Sequence, residues 1–128
     1  MLDIVFYPTQ IDQTKYVEVS EELYEWLARW LRPPQASQFS KIGHSIPHKI
    51  EIDGEEENVT VVELNSENRS QFRLFFLEAV AEESDRLLGQ LRENLDKEEY
   101  QQVTYRLRKL QQLRKSVENL AHQYMQRF

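Results

Sequence analysis

The chain has 128 residues, about the size of one domain, with 40% hydrophobic and 30% charged residues and a formal net charge of −6. It contains no cysteine, which excludes disulfides, thiolate nucleophiles and zinc–thiolate centres. No uncharged apolar run approaches the ~20 residues that span a bilayer, and MLDIVFYP, with Asp3 and no basic residue, does not read as a signal peptide.

LDIVFY, Leu2 to Tyr7, alternates with a period of two and is closed by Pro8, so a strand is expected. The polar stretch Thr9 to Val19 contains one further candidate, a short extended piece over Tyr16 to Val19. Ser20 then caps a helix in SEELYEWLARWLRPP. Leu23, Trp26, Leu27, Trp30 and Leu31 form one apolar stripe along it. Glu21 and Glu22 open this helix and Arg29 and Arg32 close it, matching the macrodipole. Pro33 and Pro34 end it.

After a loop from Gln35 to Pro47, HKIEI and NVTVVEL form two arms of a hairpin. The intervening DGEEE, Asp53 to Glu57, supplies its turn, marked by Asp53-Gly54, so the acids Glu55 to Glu57 are expected in the turn. From Ser66 to Leu95, Phe72, Phe75, Phe76, Ala79, Val80, Leu87, Leu88, Leu91 and Leu95 keep helical spacing. Asp96-Lys97-Glu98-Glu99 has capping-box form and starts a further helix. Apolar positions from Val103 through Met125, and on to Phe128, extend that helix over the rest of the chain. The short connection predicts an antiparallel pair. The acids Glu82, Glu83 and Asp85 then face Lys109, Arg108 and Arg106.

The predicted fold class is α+β. A strand–helix–hairpin head over 1–65 precedes a long C-terminal helical hairpin over 66–128, together one domain. Charge divides the same way. The first 65 residues carry five Lys/Arg against twelve Asp/Glu, and the remainder carry eleven against ten. An acidic head is repelled by phosphates and by anionic membranes, and accommodates a basic protein surface.

Few residues point to chemistry. Glycine occurs only at 43, 54 and 89, so no phosphate-cradling loop exists. His44 and His48 are the candidate metal-ligating or acid/base pair, since i,i+4 spacing suits a metal on a helix. Pro47 between them and the alternation of HKIEI argue for a strand instead, which makes His48 a half-buried strand histidine. Glu55 to Glu57 lack the ligand order of a calcium loop. Arg106, Arg108, Lys109, Arg114 and Lys115 form a basic run, but Leu107, Leu110 and Leu113 pass through it at core spacing. Trp26 and Trp30 could anchor an interface, but their alignment with Leu23, Leu27 and Leu31 favours core packing.

The expected function is a non-catalytic, cytoplasmic protein–protein interaction module, an adaptor, inhibitor or regulatory subunit, with no cofactor and no bound metal. Its expected surface is the wide apolar face of the last helix, through Leu113, Val117, Leu120 and Tyr124, with Gly89 permitting close helix approach. That face is expected to pair with a second copy as a homodimer or to grip another protein. Two alternatives are a small metal-dependent or acid/base enzyme using His44 and His48, and a nucleic-acid regulator using the basic run.

Overall fold

The computed structural model describes residues 2–8, 14–31, 45–52, 54–90 and 95–126. Five strands and three helices follow the order β1 (Leu2–Pro8), β2 (Lys15–Val19), α1 (Glu21–Leu31), β3 (Ser45–Ile52), β4 (Glu55–Glu63), α2 (Ser66–Leu88), α3 (Lys97–Glu118) and β5 (His122–Gln126). The fold is α+β, and α2 and α3 form the C-terminal helical hairpin.

Local chemistry places most boundaries. Ser20 Oγ accepts from Leu23 N at 3.2 Å and starts α1. Asn65 and Asp96 do the same for α2 and α3, accepting from Asn68 N and Glu99 N at 2.8 Å each. These side chains satisfy amides that a helix start otherwise leaves unpaired. Gly54 turns between β3 and β4 at φ +81°, a conformation that favours glycine. Because Ile52 pairs with Glu55, the turn is a tight one. Glu55, Glu56 and Glu57 therefore lie within β4, on exposed positions, and not in the turn.

The sheet has strand order β2-β1-β5-β4-β3, and every neighbouring pair is antiparallel. It draws strands from both sides of residue 65. The correction to the expected continuous last helix lies here. α3 stops at Glu118, and residues 122–126 form the middle strand. Asn119 makes the stop. Its backbone is extended at φ −71° and ψ 113°, its Oδ1 accepts from Ala121 N at 3.0 Å, and its carbonyl accepts from His122 N at 3.0 Å. β5 then supplies ladder partners to β1 and β4 together, pairing Phe6 with Met125 and Val62 with Met125. Helical continuation would leave both strands with an open edge.

One face of the sheet meets the helices. Ile4, Phe6, Val17, Val19, Val62 and Met125 join Leu23, Leu27 and Leu31 of α1, Phe72, Phe75, Phe76 and Ala79 of α2, and Leu110, Leu113 and Val117 of α3 in one core. Helices of 23 and 22 residues span only ~35 Å, so sheet and α1 cover their inner faces. α2 ends at Leu88, and Gly89 is its right-handed C-cap. A Cβ added to Gly89 would lie 3.6 Å from the Arg86 carbonyl, an ordinary contact, so no close helix approach requires glycine there.

Arg69, late in the first turn of α2, joins these parts. Its guanidinium donates to the carbonyls of Val117 at 2.7 Å, Asn119 at 3.0 Å, Leu64 at 2.8 Å and His122 at 2.7 Å. Two of these acceptors belong to the end of α3, one to the end of β4 and one to the start of β5. Burial lowers the Arg69 pKa from its ordinary value, yet arginine stays charged in proteins. Nearby, Arg73 Nε meets Glu118 Oε1 at 2.8 Å across the helical hairpin. Arg114 Nη1 binds both oxygens of Glu118 from its own helix, at 3.0 and 3.1 Å.

Two predictions concern stability. Replacing Arg69 by Leu leaves several half-buried carbonyls without donors and is expected to cost about 3–4 kcal/mol, read from urea midpoints. Arg69→Lys should recover little, because an ammonium cannot fan across four acceptors. The Glu118 carboxyl is held below its usual pKa, chiefly by the Arg73 hydrogen bond and further by Arg114, against an opposing effect of burial. Its contribution is present above the unfolded glutamate pKa and lost as pH falls through the depressed folded value. Melting curves at pH 7 and pH 3 should therefore converge for parent and Glu118→Gln at the acid end, with a gap of ~0–1 kcal/mol at neutrality.

Candidate functional site

Two regions of the surface concentrate functional side chains. The first lies where α1 crosses the helical hairpin. Trp26 packs against Phe75 at 6.0 Å between ring centroids and against Trp30 at 6.5 Å. The Arg106 guanidinium stacks over Trp26 at 4.4 Å, an attraction that strengthens with desolvation. Arg106 Nε also reaches Glu83 Oε2 at 3.8 Å. Glu83 is only 6% exposed. Its second partner is Arg86, which donates from Nε to Oε2 at 3.1 Å and from Nη2 to Oε1. That hydrogen bond raises the Arg86 pKa.

Arg86 and Arg106 line two clefts, of 390 and 220 Å³. Ser20, Glu22 and Tyr105 border the larger and Trp26, Ala79 and Glu82 the smaller. Tyr105 Oη accepts from Ser20 N at 2.9 Å and fixes the start of α1 on α3. Glu83 with its two arginines is thus a charged clamp that holds three helices together. A buried carboxylate is retained at such a place only when cations pair with it.

α1 and α2 also leave large apolar side chains exposed, of which Trp30 and Leu74 are together termed the ridge. Trp30 is 43% exposed and Leu74, beside Phe75 in the chain, is 49% exposed. Glu21, Glu22 and Glu25 of α1 and Glu78, Glu82 and Asp85 of α2 are exposed on the same two helices.

The second region surrounds His122. This residue is 6% exposed, stacks on Phe6 at 5.5 Å, and lies against the Ser116 carbonyl at 2.7 Å through Nδ1. It borders an open cleft of 440 Å³ together with Thr14, Lys15, Gln112, Lys115, Ser116 and Asn119.

The residues expected to carry function are scattered by the fold. His44 lies outside the described residues, and His48 sits in β3 in register with Val59. Among the described residues no three acidic or histidine side chains converge on a metal-sized site. Leu113 and Val117 are fully enclosed in the chain's own core. Tyr124 is half-buried in β5, in register with Tyr7 and Glu63. Leu120 is 79% exposed in the turn before β5, and Gly89 is exposed at the end of α2. The basic run is likewise divided. Arg106 enters the clamp, Arg114 binds Gln111 and Glu118, and Arg108 turns back onto Thr104 and the Gln101 carbonyl of its own helix. The expected Glu83–Arg108 pairing is replaced by Glu83–Arg106.

His122 and Arg69 are functional residues that local spacing does not mark. On the expected last helix, His122 has no partner by spacing. Arg69 did carry a signal, since a cation near a helix start opposes the macrodipole and calls for a separate acceptor set.

No known protein family, characterised protein or solved structure matches this chain. No described helix is long and apolar enough to cross a membrane.

The two neighbouring arginines of α3 should respond differently to truncation. Arg106→Ala is expected to destabilise by about 1–2 kcal/mol, through lost stacking on Trp26 and a weakened Glu83 pairing. Arg108→Ala should stay within about 0.5 kcal/mol. Parallel urea titrations compare them directly.

Proposed function

We propose that this chain is a non-catalytic, cytoplasmic protein–protein interaction module whose docking surface is the ridge on α1 and α2. The supporting observation is Trp30, which stands 43% exposed on a rigid aromatic base of Trp26 and Phe75. Exposed tryptophan held by packing loses little side-chain freedom on binding and is the residue type most enriched at interface hot spots. Leu74 adds apolar area, and the acids on both helices suit a partner with a basic rim. Self-association through the same ridge would bring these acids against their own copies, because a two-fold interface repeats one surface. A heterologous basic protein is therefore the better match.

The expected partner can be sought by pull-down from the native host with tagged chain, using Trp30→Ser/Leu74→Ser as the paired control. Trp30 packs on Trp26, so the double variant should lose some stability, and its circular-dichroism spectrum checks that it stays folded. The parent should retain a specific partner that the variant loses by tenfold or more, and added salt should slow its association. Equal capture by both proteins counts against the ridge. A dimer by light scattering that the double substitution dissociates would instead assign the ridge to self-association.

A further inference from the structure

We propose that the cleft beside His122 binds a small phosphate-bearing anion, independently of the ridge on α1 and α2. Lys15, at the start of β2, is the register partner of Phe6, the ring on which His122 stacks. Lys115 reaches the same cleft from the last turn of α3. Neither lysine joins a salt bridge among the described residues, and no Asp or Glu is among the described residues that line the cleft. In a chain of net charge −6, this brings two lysines to one cleft with no acidic partner among the described residues.

The end of α3 would by itself place partial negative charge here. Arg69 offsets it, because two of its hydrogen bonds fall on the Val117 and Asn119 carbonyls. Asn119 spends its Oδ1 on Ala121 N, so its amide nitrogen remains a donor. Gln112 lines the cleft as well.

His122 makes the site selective. A carbonyl can only accept, so Nδ1 carries the proton donated to Ser116. In the neutral ring Nε2 is then an acceptor, and it has no hydrogen-bond partner among the described residues. The residues that line the cleft thus carry two ammonium groups, amide donors and one buried ring acceptor. Monohydrogen phosphate and the monoprotonated form of a phosphate monoester match this set, offering several acceptor oxygens and one P–O–H donor. A carboxylate offers acceptors only. The volume of 440 Å³ lies within the range of small-molecule sites.

The test is an NMR titration of the full-length chain with inorganic phosphate at constant ionic strength, with sodium chloride and sodium acetate as control arms. Glycerol 3-phosphate, in a further arm, distinguishes a monoester from the free ion. Saturable shifts at His122, Lys15 and Lys115 with phosphate or the monoester, and none with chloride, are expected. Lys15→Ala and Lys115→Ala should each weaken binding about tenfold, as loss of one charge-assisted hydrogen bond does. Both lysines are exposed, so these variants should fold. His122→Asn keeps a donor for Ser116 and removes Nε2, and it should abolish the preference for phosphate over acetate. Linear shifts without saturation, equal response to acetate in the parent, or unchanged affinity in both lysine variants would overturn the proposal.

Discussion

Arg69 is the interaction on which the arrangement of the molecule depends. Four carbonyls from three chain segments converge on one guanidinium. The end of a helix, the end of one strand and the start of another each present acceptors there, and one donor group serves them all. Arginine suits the place because its donors are fixed in a planar fork and its charge survives burial. It also neutralises the end of α3 at the point where the chain reverses into β5. The strand could otherwise be delivered between β1 and β4 only by a turn leaving several carbonyls poorly satisfied.

With β5 in place, the remaining packing follows. The middle strand brings Met125 onto the core face beside Phe6 and Val62. The helical hairpin lies across that face and α1 closes it. The wide apolar stripe of α3 is consumed by this packing, so the surface left for a partner shifts to α1 and the outer side of α2. The charged clamp around Glu83 lies between the two regimes. It secures the helices from within, and its Arg106 stacks on Trp26, the ring against which Trp30 packs.

Much of this was legible in the sequence, and the failures have particular causes. Ser20 and Asp96 announced their helices, and Asp53-Gly54 announced its hairpin, because capping and turn chemistry act over a few residues. HQYMQ was not legible. Val117, Ala121 and Tyr124 fit a helical stripe, whereas His122 and Met125 are buried only once a strand is formed. Short apolar patterns satisfy both periods, and the choice depends on an open slot between two strands far away in the chain. Glu83 was expected opposite Arg108 because hairpin register from sequence is uncertain by a residue or two. That small slip decides which arginine is enclosed. His122 became a candidate only when β5 carried it onto Phe6 and the lysines, a grouping that no local spacing encodes.

The position of β5 also orders the assembly of the sheet in time. Phe6 and Met125 are neighbours across the ladder although almost the whole chain separates them, and contacts of such long range form slowly. During synthesis β5 leaves the ribosome after the four other strands. Until then β1 and β4 are members of two separate hairpins, each with an unpaired edge. Such edges recruit strands from other chains. The nascent protein is thus most vulnerable to aggregation just before its central strand emerges, and a chaperone that shields strand edges would act during that interval.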